Sequence, residues 1–175
     1  MMQMLAAGGC PILTDNVRTP DESNPRGYLE FEAVKRLRAD QTWLTLAVGK
    51  AVKIIHLLLR ELPVDGRFSY RVIFMNRPID EVLASQRAML QREGKKPADE
   101  STLTKAFQGQ LEQLESWLAG YPCFKVLYLD YHRVLEAPRP SADVMETFLQ
   151  AGLETEAMAA VVDQSLYRQR AGRIA

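Results

Sequence analysis

Arg77 occupies the kind of backbone setting in which proteins bind anions, between an apolar run and a run that begins with Pro78. A strand is expected to end and a helix to begin there, so the guanidinium fork and the first helix amides would both face an anion. Ser85 lies seven residues beyond Pro78, about two turns along the same helix side. We therefore predict that Arg77 and Ser85 converge on one anion. The alternative is an ion pair of Arg77 with Asp80 or Glu81, with the serine on the helix surface.

Lys53, His56, Glu30 and Glu32 are further candidates for chemistry. Lys53 interrupts an apolar run, where it needs a partner or a ligand such as a phosphate or sulfonate, unless it extends its charge to water from an edge strand. His56 is a candidate general base, or a helix-start histidine satisfied by hydrogen bonds. Glu30 or Glu32 could accept a proton from a substrate hydroxyl, or simply favour a helix N-terminus.

Three arginines near the end of the chain are further candidates for binding an anion, and the few cysteines and histidines limit the metal chemistry. Arg168, Arg170 and Arg173 form a basic end that either clamps a phosphate or lies solvated as a tail. Two cysteines and two histidines predict neither a disulfide framework nor a metal site. The motifs G-x-x-x-x-G-K-[ST], G-x-G-x-x-G and H-E-x-x-H do not occur. We therefore expect no metal cofactor.

The elements that must position these residues alternate between strand-like and helix-like segments. Strands are predicted over Cys10–Leu13, Lys50–Ile55, Tyr70–Met75 and Phe124–Leu129. Helices are predicted over Met1–Ala7, Phe31–Leu37, His56–Leu62, from Pro78 up to Gly94, from Asp99 or Ser101 to Leu118, and over Ser141–Gln150 and Thr155–Val162. Strands separated by helices indicate an α/β fold with a parallel sheet. Ligands of such sheets lie beyond the carboxyl ends of the strands.

Length and charge limit the class of protein. The chain has 175 residues, a length typical of one domain, so we predict a single domain over 1–175. Lysine and arginine number 22, as do aspartate and glutamate, so there is no global basic field to hold a nucleic acid or an anionic membrane. No apolar stretch approaches the ~18 residues of a membrane span, and the start lacks the basic region of a signal peptide. We expect a cytoplasmic protein.

The segment Tyr70–Gln86, YRVIFMNRPIDEVLASQ, resembles the sulfotransferase family. That family has an apolar strand, an arginine, a short acidic link and then a serine. A second similarity runs from Val126–Tyr131 through Val134–Pro138 to Phe148–Leu149, where the family has a strand, a tyrosine-centred turn, a proline and a helix ending in Phe-Leu. Asn24–Glu30 is similar to the substrate-side loop of bacterial members.

The resemblance implies a fold, a reaction and residue roles. The fold would be a three-layer α/β/α domain like that of P-loop nucleoside triphosphate hydrolases. The reaction would move a sulfonate from 3′-phosphoadenosine 5′-phosphosulfate (PAPS) to a hydroxyl or amine of a small molecule, glycan or peptide. Arg77 and Ser85 would bind the 3′-phosphate, with Arg168 or Arg170 as further contacts. Lys53 would face the transferred group.

The chain departs from the family pattern in two places. His56 is near but does not match the histidine motif of the cytosolic eukaryotic members, so Glu30 or Glu32 is an alternative base. The family's first strand and phosphosulfate loop do not occur, and residues 1–5 resemble the helix that follows that loop. We therefore expect an absent first strand, weakened PAPS binding and self-association through an exposed sheet edge. The other hypotheses are a P-loop nucleotide or small-molecule kinase and a non-catalytic remnant that binds a partner.

Overall fold

The computed structural model describes residues 1–21, 24–92, 94 and 100–167. The strands of this part are β1 (Tyr70–Asn76) and β2 (Phe124–Asp130). The α-helices are α1 (Met2–Ala7), α2 (Ile79–Arg92), α3 (Glu100–Ala119), α4 (Tyr131–Glu136), α5 (Pro138–Leu149) and α6 (Thr155–Ala160). Short 3-10 helices cover Glu32–Arg36, Thr42–Ala47, His56–Glu61 and Gln164–Leu166.

β1 and β2 form a small parallel sheet. Their register runs from Tyr70 opposite Phe124 to Asn76 opposite Asp130. α2 and α3 lie between the two strands in the sequence, which is the long helical connection that parallel strands require. The predicted α/β class with a parallel sheet is confirmed at this level.

The two earlier predicted strands, Cys10–Leu13 and Lys50–Ile55, are wrong as strands. They meet in one isolated parallel bridge between Ile12 and Ala51, in which the Ala51 N–H donates to the Pro11 carbonyl at 2.8 Å. Pro11 has no N–H of its own, so the ladder cannot extend toward Gly49. Toward Lys53, the Asp15 N–H donates to the Glu30 carbonyl at 3.4 Å instead. The apolar character of both segments serves core packing instead.

Alternate side chains of β1 pack against two separate apolar clusters. Val72 and Phe74 contact a cluster whose buried members are Val34, Leu37, Trp43, Leu44, Leu59, Leu62, Leu114, Leu118 and Phe124. Ile73 and Met75 contact a cluster whose buried members are Met4, Leu5, Val134, Ala142, Met145, Leu153 and Met158. The first cluster belongs mainly to α3 and the 3-10 helices, and the second to α1, α5 and α6. Apolar side chains therefore cover both faces of the sheet, as parallel sheets require.

Two predicted α-helices, Phe31–Leu37 and His56–Leu62, are 3-10 helices in the structure. Their turns close through bonds between residues three apart, such as Val34 N–H to Phe31 O at 3.0 Å. Bonds of this spacing are common in short helical connections. The apolar periodicity was therefore right about which residues face the core but wrong about the helix type.

Of the helices after β2, α6 begins at the predicted Thr155, whereas α4 was not predicted and α5 begins earlier than predicted. The Asp130 carboxylate accepts from the Arg133 N–H at 2.8 Å and thereby caps α4. α5 begins at Pro138 rather than at the predicted Ser141, because proline is well tolerated in the first helical turn. Among the described residues, no helix combines the length and apolar character that crossing a membrane would need.

Gly8 lies against the buried side of α6, and we expect a methyl group there to destabilise the fold. A Cβ at Gly8 would lie 2.5 Å from Met158 Cγ and 3.3 Å from Leu153 Cβ, and both neighbours are buried. Gly8→Ala should therefore lower the free energy of unfolding by about 1–3 kcal/mol, as measured by urea denaturation.

Gly109 is the matched control for this substitution. It lies within α3, and apart from the helix's own backbone no described heavy atom lies within 4 Å of an added Cβ. Gly109→Ala should raise the free energy of unfolding by about 0.5–1 kcal/mol through helix propensity. Equal responses of the two variants would contradict close packing at Gly8.

Candidate functional site

A buried carboxylate lies in the first turn of α2. The Glu81 side chain is 1% exposed and accepts from Arg77 Nε at 2.9 Å. His132 Nε2 lies 3.1 and 3.2 Å from its two oxygens, and the Tyr167 hydroxyl also donates to it. Leaving such a carboxylate unpaired would cost on the order of several kcal/mol. These four residues and Tyr131 form what we term the Glu81 cluster.

The guanidinium of Arg77 lies against two aromatic rings. Its Cζ atom is 4.8 Å from the ring centroid of Tyr131 and 5.6 Å from that of Tyr167. The two rings meet edge to face at 5.6 Å, and ring faces attract cations. The Arg77 side chain remains 21% exposed. The guanidinium is therefore fixed in orientation without being removed from solvent, which suits a group that receives an anion.

The register of the sheet explains why these residues meet. Asn76 and Asp130 are paired at the carboxyl ends of β1 and β2, and Arg77 and Tyr131 follow them directly. The rule that ligands lie beyond such strand ends identified this edge from the sequence. The contact of Arg77 with Glu81 is the ion pair that the sequence analysis held as its alternative.

Of the five residues of the Glu81 cluster, Arg77 alone was a predicted site residue, and Glu81 was named only as its possible ion-pair partner. The strand-end rule points to Tyr131 and His132 after β2, but His132 was given less weight than His56. Tyr167 lies 86 residues from Glu81, and no motif around it signals the contact.

Lys53 and Glu30 form the second polar group of interest. Lys53 Nζ lies 2.8 Å from Glu30 Oε1, and Arg18 lies 3.4 Å from Glu30 Oε2. The Arg18 guanidinium also lies 3.4 Å from the ring centroid of Tyr28, whose hydroxyl donates to Asp21 at 2.8 Å. Lys53 thus has the partner that a lysine in an apolar run was expected to need, and it stays partly exposed. The structure brings two predicted catalytic residues into direct contact.

The ionisation of Glu30 reflects its two cationic neighbours. Burial by itself raises the pKa of Glu30, but the hydrogen bonds and charges of Lys53 and Arg18 outweigh it, so the pKa lies below its ordinary value. Glu30 is therefore a carboxylate at neutral pH. Because the folded-state pKa is lowered, its contribution to stability is present above the unfolded-state pKa and is lost as the pH falls through the folded-state pKa.

The backbone holds Glu30 in place at some conformational cost. Leu29 adopts a φ of 49°, the left-handed region that residues with a Cβ seldom occupy. The Glu30 carbonyl accepts from the Thr14 hydroxyl at 2.8 Å and from the Asp15 N–H at 3.4 Å. The Asp15 carboxylate accepts from the Glu32 N–H at 2.6 Å. Strained backbone held by surrounding bonds is a feature of functional sites.

The structure directs His56 and Glu32 elsewhere. The His56 ring packs edge to face on Phe107 at 4.8 Å, and its Nε2 lies 3.4 Å from Gln110 Oε1, both on α3. The Glu32 carboxylate contacts Lys35 Nζ at 2.8 Å. These contacts match the alternatives that treated His56 as a histidine satisfied by hydrogen bonds and Glu32 as an acidic residue at a helix start.

The remaining predicted contacts to the phosphate lie on α2 and in the tail. Ser85 is exposed on α2, four residues after Glu81 and so on the same helix side. Arg168 and Arg170 lie outside the described residues. Within the part of the chain that is described, no three histidine, cysteine, aspartate or glutamate side chains are grouped so as to hold a metal ion.

Comparisons with known proteins assign no family to this chain. No family model, no curated protein and no solved structure matches this chain.

Removing the Lys53 charge should raise the pKa of Glu30. In Lys53→Met the burial of Glu30 persists while its main cationic partner is gone. The side-chain carboxyl carbon of Glu30, followed by NMR over a pH titration, should therefore titrate at a higher pH than in the unmodified chain.

Lys35→Met serves as the control, because the exposed Lys35 contacts Glu32 rather than Glu30. It should leave the titration of Glu30 unchanged. An unchanged Glu30 pKa in Lys53→Met would show that the contact is not formed in solution.

Proposed function

We propose that this chain is a sulfotransferase-like protein that moves a sulfonate from PAPS to an acceptor hydroxyl or amine. The observation that carries the proposal is the setting of Arg77. Its guanidinium stands at the carboxyl end of β1, is oriented through Nε by Glu81 and lies over the ring of Tyr131. An arginine fixed in this way offers a preformed contact for a phosphate.

The 3′-phosphate of the nucleotide would bind at Arg77. Ser85 lies on the same side of α2 as Glu81, which itself contacts Arg77, so its hydroxyl can serve the same anion. Arg168 follows Tyr167 directly and Arg170 lies two residues further on, and both would add cationic contacts. The 3′-phosphate separates PAPS from ordinary nucleotides and would be the main specificity contact.

The Lys53–Glu30 pair would perform the transfer. The bond between sulfur and the phosphate oxygen of PAPS breaks, and a new bond forms between sulfur and the acceptor oxygen or nitrogen. The acceptor proton passes to the Glu30 carboxylate, and the 3′,5′-bisphosphate product (PAP) leaves. Lys53 would stabilise the negative charge on the transferred group and the bridging oxygen.

The low pKa of Glu30 fits this sequence of events. While Lys53 contacts Glu30, the carboxylate is a weak base. When the ammonium of Lys53 turns to a bound sulfonate, Glu30 loses that stabilisation and its pKa rises. The carboxylate thus becomes a stronger base only when the donor is present, which limits unproductive proton transfer.

We include in this proposal a three-layer α/β/α fold of the P-loop type. A parallel strand order with helices on both faces is what a three-layer domain of the P-loop type would have. The acceptor would be a small molecule, a glycan or a peptide. A nucleotide or small-molecule kinase and a non-catalytic binding module remain alternative outcomes of the tests that follow.

Calorimetric titration with PAP tests the role of Arg77. Arg77→Ala should weaken PAP binding about 10- to 100-fold, the loss expected for a hydrogen-bonded charge. Arg77→Lys, which keeps the charge beside Glu81 but lacks the fork, should also bind more weakly, and Ser85→Ala should lose a few-fold. Arg67→Ala, at an exposed arginine paired with Asp65, should bind as the unmodified chain does.

Either of two results in this titration would contradict the proposal. One is the absence of PAP binding by the folded, unmodified chain. The other is an equal loss of affinity in Arg67→Ala and Arg77→Ala. Tighter binding of magnesium-ATP than of PAP would favour the kinase alternative.

Comparing PAPS with PAP tests the role of Lys53. PAP lacks the sulfonate that Lys53 would contact. Lys53→Met should therefore weaken PAPS binding by about tenfold and weaken PAP binding much less. Lys35→Met should change neither affinity. An equal loss for both nucleotides in Lys53→Met would place Lys53 away from the sulfonate.

A further inference from the structure

The segment from Val161 to Tyr167, which we term the strap, is held at its first residues by Arg26. The Arg26 guanidinium donates to the Val161 carbonyl at 2.6 Å and to the Asp163 carboxylate at 2.7 Å. Arg26 belongs to the loop that leads to Glu30. The first part of the strap is therefore attached to the loop that carries the candidate base.

The last described residue of the strap enters the Glu81 cluster. The Tyr167 hydroxyl donates to Glu81 and lies 2.8 Å from His132 Nε2. Its ring is the second aromatic surface beside the Arg77 guanidinium. The strap thus covers the anion-binding group with one ring and is anchored there by one hydroxyl.

The middle of the strap has a defined local conformation. The Asp163 carboxylate accepts from the Ser165 N–H at 2.9 Å and from its hydroxyl at 2.6 Å. Gln164 Nε2 donates to the Leu135 carbonyl on α4 at 2.9 Å. The strap is therefore bonded along its length, to Arg26, to α4 and to the Glu81 cluster.

We propose that Glu81 is a positioning residue that holds the Arg77 guanidinium and the Tyr167 hydroxyl together, so that closure of the strap and binding of a phosphate at Arg77 are linked. The phosphate part of this inference rests on the proposed function. Glu81 itself does not touch the ligand; its carboxylate sets the orientation of the group that does.

Burial and charge give the physical reason for the linkage. Glu81 is almost fully buried, so losing the Tyr167 hydroxyl removes one of the donors that water cannot readily replace, and losing the carboxylate removes the acceptor that Arg77 Nε and the Tyr167 hydroxyl share. One acceptor therefore couples Arg77 and Tyr167, two residues that lie far apart in the sequence. By linkage, a ligand that favours the closed arrangement is bound more tightly when closure is favoured.

Hydrogen exchange without ligand tests the first half of the proposal. The amides of Ser165, Leu166 and Tyr167 are bonded within the strap and report its closure. Glu81→Gln and Tyr167→Phe should speed their exchange by about tenfold, while exchange in α3 stays unchanged. Tyr167→Phe removes only a hydroxyl, so it keeps the test decisive if Glu81→Gln does not fold.

The controls make the same chemical changes at exposed positions. Glu112→Gln on α3 and Tyr128→Phe on β2 should leave strap exchange as it is. Unchanged strap exchange in both Glu81→Gln and Tyr167→Phe would overturn the proposal, and so would equal acceleration in the control variants.

Nucleotide binding tests the second half. Tyr167→Phe and Glu81→Gln should weaken binding of PAP about tenfold and leave binding of adenosine 5′-monophosphate, which lacks the 3′-phosphate, unchanged. A merely structural role would weaken both nucleotides equally and would overturn the positioning role. Failure of the unmodified chain to bind PAP would overturn the proposed function and the phosphate linkage together. The exchange experiment would then test only whether Glu81 anchors the strap through Tyr167.

Discussion

The buried carboxylate of Glu81 constrains the whole functional end of this fold. Removing a carboxylate from water costs more than a single surface ion pair contributes, so it must be met by several well-placed donors. Arg77 comes from the end of β1, His132 follows the end of β2, and Tyr167 comes from the strap. The parallel pairing and register of β1 and β2 bring Arg77 and His132 to the same edge of the sheet, where both contact Glu81. A single buried charge thereby fixes the relation of four elements.

The apolar packing has to supply the stability that so small a sheet lacks. Two paired strands are marginal alone, and here each face is covered by its own cluster. On the side of α1 and α6, close approach is needed: the Glu154 N–H donates to the Gly8 carbonyl at 3.0 Å, and Met158 fills the space beside Gly8. The absence of a side chain at Gly8 is what lets α1 approach α6, and this packing supports the sheet whose strand ends form the site.

The sequence allowed prediction where the decisive interactions are local. β1 and β2 have apolar runs bounded by turn residues, and Arg77 and Glu81 have the spacing of an ion pair on a helix. Local errors were confined to the type and the first residues of short helices. The contacts within the candidate site were missed because they join chain segments that are distant in sequence.

Two kinds of contact show this limit. Lys53 meets Glu30 across 23 residues, and Tyr167 meets Glu81 across 86, and neither pairing has a periodic signal. The segment around Lys53 looks like a strand because it is apolar, yet it gains only one bridge, at Ala51, because the next N–H in that direction, that of Asp15, donates to the Glu30 carbonyl instead. The local composition of a segment indicates whether its side chains are buried. Which strand or side chain it pairs with depends on the segments that the fold places beside it.

The two polar groups differ in a way that suits different tasks. The Glu81 cluster has its acceptor almost fully buried, so rearranging it is costly and the position of Arg77 is well defined. The Glu30 side chain is 24% exposed and that of Lys53 is 38% exposed, so exchanging one partner there for another anion costs far less. A fixed contact is appropriate for recognising a phosphate that does not react. In the proposed transfer, a more exposed ion pair would suit a group that gains a proton, and the Glu30 carboxylate follows the strained φ of Leu29 directly.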